Sequence, residues 1–271
     1  MQHIHSPLSA RFRSALVGCL LVALLFAGCS TGRRPAAPPT APPRTPTVEG
    51  GSALPLERFH YVASLTLREQ RPAATAGEVV IFTEGDFQSP DRHAFSHTVQ
   101  LDADTVVRSA VIIGEDVWLR RDEGPWRQTT RDDPQVADLL AVAFTAARPQ
   151  FLGGREFQQV QESVRRLPST EEEVNGVATN HYQVGLAGRE FFETFLVPEE
   201  LLQSVGDLSW DLWLAAEGGW PVRLLLSATV IDTITILEEL DLRAPVHWEL
   251  RIDISRPNDP TLSVVAPEEE S

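Results

Sequence analysis

The sequence predicts an α+β protein built mainly on antiparallel β-structure, and three observations predict it. Run after run alternates apolar with polar residues at the two-residue period of a half-buried strand. Turn signals separate these runs: Gly124-Pro125, Asn175-Gly176 and Gly218-Gly219. Helical periodicity is confined to a few short segments.

The N-terminus is organised differently. Residues 1–13 carry Arg11 and Arg13 and no acid, and residues 15–28, "ALVGCLLVALLFAG", form an unbroken apolar run of 14 residues. A membrane-spanning helix needs ~20. A basic start, a short apolar run and the small residues Ala27 and Gly28 make the layout of a secretory signal peptide. Cys29 follows at once, as in a bacterial lipobox, where the cysteine is acylated and becomes the new N-terminus. Phe26 stands where that motif usually has Leu. An uncleaved anchor helix or an ordinary signal peptide are the alternatives. Cys19 and Cys29 are the only cysteines, so cleavage and lipidation leave no free thiol and no disulfide. Thiol catalysis and thiolate metal sites are then excluded.

Residues 29–55 hold seven prolines and almost no large apolar side chain, which predicts an extended Pro-rich tether behind the lipidated cysteine. Fully extended, it reaches roughly 80 Å at ~3.1 Å per residue. The folded domain is expected over 56–267, and residues 268–271 are an acidic tail. The chain carries 23 basic and 38 acidic residues and a net charge of −15. Removing residues 1–28 takes away two arginines, leaving 21 against 38, or −17. Such a body repels nucleic-acid phosphates and does not lie flat on an anionic membrane, so it needs an anchor to stay near one.

Within the domain, "FHYVASLTL" (59–67) is a strand whose odd positions are apolar. "EVVIFTEGDF" (78–87), "HAFSHTVQL" (93–101), "DTVVRSAVII" (104–113) and "EDVWLRR" (115–121) follow as strands. "VNGVATNHYQVGL" (174–186) is a hairpin turned by Asn175-Gly176, and "LSWDLWLAA" (208–216) pairs with "WPVRLLLSATVI" (220–231) around Gly218-Gly219. In "PVHWELRIDI" (245–254), Val246, Trp248, Leu250, Ile252 and Ile254 share one face. The spacing of Val136, Leu139, Leu140, Ala143, Phe144 and Ala147 predicts a helix over 133–148, capped by Asp133 and opened by Pro134. A broken helix is expected over 189–206, and 155–167 fits helix or strand equally.

No hydrolase nucleophile motif, metalloprotease helix or phosphate-binding glycine loop is present. His93 and His97 share one face of a strand but lack a third ligand, and read as partly exposed strand residues. His60 and His247 fall on polar faces, and His181 reads as structural. The acidic groups at 102–104, 131–133 and 171–173 read as turns, a helix cap and a solvated face. The expectation is a protein with no catalytic residues, no metal and no cofactor.

The order of features is similar to that of the LppX/LprG-type lipid-binding lipoproteins, relatives of the LolA/LolB lipoprotein-sorting fold. The phrases that carry it are "FHYVASLTL", "GEVVIFTEGDFQSPDRHAF", "EDVWLRRDEGPWRQ", "VNGVATNHYQV", "WLAAEGGWPVRLLL" and "IDISRPNDP", across most of 57–267. The resemblance implies a curved antiparallel half-barrel, with two to three helices over its concave face enclosing an acyl-chain cavity. It implies an extracytoplasmic protein, lipid-anchored through Cys29 to the cell membrane, that carries or presents a lipid, glycolipid or lipoprotein. Tyr61, Leu65, Phe82, Trp248 and Leu250 are the expected cavity lining, with Leu140 and Phe144 as its gate. A membrane transporter or regulator is a possible partner. The alternative in the same fold is an envelope sensor that binds a partner protein through its sheet edge.

Overall fold

In the computed structural model the described residues are 56–71, 77–101, 104–136, 139, 164–184, 204–232 and 241–268. They form one open sheet of eleven antiparallel strands. In chain order these are β1 (Arg58–Glu69), β2 (Glu78–Gln88), β3 (Arg92–Leu101), β4 (Asp104–Ile113), β5 (Asp116–Arg121), β6 (Arg127–Thr130), β7 (Val164–Val174), β8 (Val177–Val184), β9 (Val205–Ala215), β10 (Pro221–Val230) and β11 (Val246–Ser255). Across the sheet the order is β6-β5-β4-β3-β2-β1-β11-β10-β9-β8-β7. Strands β1 to β6 step outward to one edge. Strands β7 to β11 step back from the other edge until β11 pairs with β1.

Local chemistry explains the turns. Asn175 and Gly176 both take positive φ, 54° and 77°, as a two-residue hairpin with the right-handed strand twist requires. Asp133 caps the one described helical start: its Oδ1 accepts the backbone N–H of Gln135 at 2.8 Å, and Pro134–Val136 and Leu139 are helical.

The register sorts the side chains into two faces. The inner face carries Phe59, Tyr61, Ala63, Leu65 and Leu67 of β1, which meet Phe87, Gly85, Thr83, Ile81 and Val79 of β2. On the other flank Tyr61, Ala63, Leu65 and Leu67 meet Ile254, Ile252, Leu250 and Trp248 of β11. The outer face carries His60, Ser64, Arg68, Glu84, Asp86, Glu249 and Arg251. Two clusters seal the inner face. One gathers Phe59, Tyr61, Phe87, Phe95, Ile254, Leu224 and Leu212 with Val136 and Leu139 of the helical start. The second holds Leu67, Val79, Ile81, Val230, Leu242 and Val246. Each fully buried side chain of this size contributes about 1.5–3 kcal/mol.

Several expectations change here. Strand β9 begins at Val205, where a helix was expected to run to Gly206. Residues 164–167 are strand, and the acids 171–173 lie inside β7 rather than before a hairpin. Edge strand β6, "RQTT", has no apolar alternation to announce it. Residues 1–55, which include Cys29 and the tether, lie outside the described residues, as do Leu140, Phe144 and most of the two expected helices. No helix among the described residues is long and apolar enough to cross a membrane.

Candidate functional site

The inner face is the candidate site, and its composition is not uniformly apolar. Because β3 alternates, the odd residues His93, Phe95, His97 and Val99 fall on the inner face with the core of β2. This corrects the expectation that the two histidines are partly exposed: they are 9% and 3% accessible. Their rings pack among aromatics, with His93 4.6 Å from Phe95 and 5.7 Å from Tyr61 between ring centroids.

Each histidine has one polar partner. The Tyr61 hydroxyl lies 2.8 Å from His93 Nε2, and the Thr83 hydroxyl lies 2.7 Å from His97 Nδ1. The first contact crosses a strand. Tyr61 on β1 reaches His93 on β3 by lying over Gly85 of β2. A Cβ at Gly85 would stand 2.9 Å from the Tyr61 hydroxyl, 2.6 Å from the Ala94 carbonyl and 2.7 Å from Phe95 Cβ. Glycine is needed at this position for close approach.

Burial keeps all of these groups neutral. It pushes the Tyr61 hydroxyl far above the ordinary phenol range, with the Asp86 charge adding to the effect. Burial lowers His93 to about 3. His97 falls to about 4, by burial first and then by the positive charge of Arg108. Arg108 is the register partner of His97 on β4 and shares the inner face, half-buried. His97 Nε2 is buried and has no hydrogen-bond partner among the described residues.

Between the two sealed clusters the inner face is only half-closed. Leu65 and Trp248 pack against both clusters yet stay half-buried, and Val99 and Val106 beside them are half-buried too. Four expected lining residues fall on this face: Tyr61 and Leu250 are sealed, while Leu65 and Trp248 stand at the opening. The fifth does not. Phe82 pairs with Ser64 on the outer face and is 39% exposed, so it faces away from the site. The reason is strand parity, since Phe82 shares its face with Glu84 and Asp86. Sequence reasoning missed Thr83 and Arg108 and read His97 as partly exposed. Their signal was the phase of Phe95 and Val99 on β3 and of Ala110 and Ile112 on β4.

Two further polar groupings are structural. On the outer face His181 stacks on Trp213 at 4.1 Å and lies between Glu172 (3.2 Å) and Asp211 (3.0 Å). Glu172 also accepts the Trp213 indole N–H at 2.8 Å, which lowers its pKa. Glu171, Glu172 and Glu173 are exposed, as the sequence suggested, and Glu172 joins this network from the solvated face. At the other end of β1, Glu69 is buried and accepts the backbone N–H groups of Gly77 (3.1 Å) and Arg243 (2.5 Å), pinning two loops. These bonds, the Gly77 one first, hold its carboxyl below the usual range. No set of three metal-ligating side chains converges among the described residues.

No protein-family model matches the chain, and no curated protein matches it. Solved structures similar to it include a LolA superfamily protein from Nitrosomonas europaea, at 10% identity and a TM-score of 0.25 over 78% of this chain and 92% of that one. A domain described as an outer membrane lipoprotein-sorting protein from Vibrio parahaemolyticus is similar at 9% identity and a TM-score of 0.21, covering 74% of this chain and 86% of that one. A DUF1329 family protein from Desulfovibrio piger is similar at 11% identity and a TM-score of 0.21, over 93% of this chain and 94% of that one.

Proposed function

We propose that this chain is a lipid-anchored protein of the cell envelope that binds acyl chains on the inner face of its sheet and carries or presents them. The observation that carries this reading is the half-open waist at Leu65 and Trp248, flanked by two sealed apolar clusters. Apolar side chains in the middle of a well-packed face are normally covered. An acyl chain laid there gains about 0.8 kcal/mol per buried methylene, so eight methylenes contribute roughly 6 kcal/mol. The neutral histidines suit a water-poor site.

The rest of the reading follows from the N-terminus. Acylation at Cys29 holds the domain within tether reach of a lipid surface on the extracytoplasmic side. A curved half-barrel of the LppX/LprG type is the geometry in which such a face becomes a cavity, with Leu140 and Phe144, which lie outside the described residues, as its expected gate. The lipid, glycolipid or lipoprotein is bound without chemistry, so the chain is a carrier and not an enzyme.

Native mass spectrometry of the full chain purified from a bacterial envelope tests this. The expected spectrum shows the protein with one or more acyl lipids retained. An apo mass alone, with no binding of a fluorescent fatty acid, overturns the carrier reading. Cys29→Ser separately tests the anchor: the chain is expected to leave the membrane fraction, and unchanged fractionation contradicts it.

A further inference from the structure

We infer that Thr83, His97 and Arg108 form a seat for the anionic head of the amphiphile whose chain lies along the half-open waist. This rests on the chain-binding reading above. The first observation is the orphaned His97 Nε2: the side chain is 3% accessible, yet this nitrogen meets no hydrogen-bond partner among the described residues. Buried polar atoms are almost always satisfied, and one that is not points to a missing partner.

The second observation is place. Ala63, Thr83, His97 and Arg108 form one row across β1 to β4, and Arg121 of β5 continues it. The next row along the strands is Leu65, Ile81, Val99 and Val106, about 7 Å away on the pleat. The polar row therefore borders the half-open apolar one, as the head of an amphiphile borders its chain.

The third observation is chemical type. Where the Thr83 hydroxyl donates to Nδ1, the ring proton sits on Nε2, the buried and unpartnered nitrogen, and makes it a donor. Arg108 adds a permanent cation on the same face. Two donors, one of them charged, complement an oxyanion: a carboxylate or a phosphate monoester on an acyl chain. In a chain where 38 acids outweigh 23 bases, this row carries two arginines and no acid. Burial keeps the imidazole neutral, so it meets an anion as a hydrogen-bond donor and not as a competing charge.

Competitive titration of the full chain, freed of co-purified lipid, tests this with three probes: oleate, oleoyl lysophosphatidate and oleyl alcohol. The expected result is binding of at least one anion about tenfold tighter than the alcohol. The preferred anion identifies the head as carboxylate or phosphate. His97→Leu and Arg108→Gln are each expected to reduce the anion-over-alcohol preference to within about twofold. Arg108 is half-buried, so its variant carries the test if His97→Leu fails to fold. The ¹⁵N resonance of His97 Nε2 is expected to move on adding the anion and not the alcohol, which a purely structural histidine would not do. Equal binding of anion and alcohol by the unmodified chain, or a preference that survives both substitutions, overturns the seat alone. Failure of all three probes to bind overturns the chain-binding reading with it.

Discussion

Removing the Tyr61 hydroxyl while leaving its ring in place separates a polar contact from packing. In Tyr61→Phe the ring keeps its neighbours Phe59 and His93, and only the 2.8 Å hydrogen bond to His93 Nε2 is lost. Both groups are buried, so His93 is left with an orphaned nitrogen, a loss of about 1–3 kcal/mol. The variant His93→Leu leaves the phenol orphaned instead and has a similar expected cost. The double variant removes both polar atoms, so it should be less destabilised than the sum of the two by about 1–2 kcal/mol. Urea unfolding followed by tryptophan fluorescence measures all four proteins, with a constant m-value confirming that native compactness is unchanged. Additivity within about 0.3 kcal/mol would refute the claim that this pair is a coupled, desolvated contact.

Three other outcomes follow from the same geometry. Gly85→Ala places a Cβ against the Ala94 carbonyl and Phe95 Cβ, neither of which can swing aside, and is expected to lower stability by about 1–3 kcal/mol in urea unfolding. His93 and His97 are held to about 3 and about 4 in the folded chain. Unfolded histidines titrate near 6.5, so protons bind the unfolded state first and stability falls as pH drops from 6.5 toward 4. Each histidine contributes up to about 1.4 kcal/mol per pH unit, so His97→Gln is expected to flatten the measured pH slope. Below that window the carboxylates held under their usual range, Glu69 and Asp253 among them, lose their contribution as they protonate. Glu69→Gln replaces the acceptor of two backbone N–H groups, and hydrogen exchange is expected to quicken at Gly77 and Arg243 while the centre of the sheet is unaffected.

The strands most legible in the sequence are those whose two faces see different solvents. In β11 the alternation from Val246 to Ile254 translates directly into one buried row. In β2 the run Val79, Val80, Ile81, Phe82 is apolar at both parities, and Phe82 was placed on the wrong face. Glu84 and Asp86 carried the parity that decides it. On β3 the histidines were read as partly exposed, although Phe95 and Val99 set the phase that buries them. Strands β6 and β7 were illegible for another reason. An edge strand such as "RQTT" buries little, and the run of three glutamates in β7 owes its place to pairing with β8, a non-local contact that periodicity does not encode. The half-open waist is invisible in sequence, because a sealed core and a ligand-ready face need the same alternation.

That waist is tested most directly by titrating the full chain with a doxyl-labelled stearate, which quenches tryptophan only at short range, and repeating the titration with Trp248→Phe. Saturable quenching that loses most of its amplitude in the variant is the predicted result. An absence of quenching, or an amplitude unchanged without Trp248, would contradict an acyl-chain site on the inner face of this sheet.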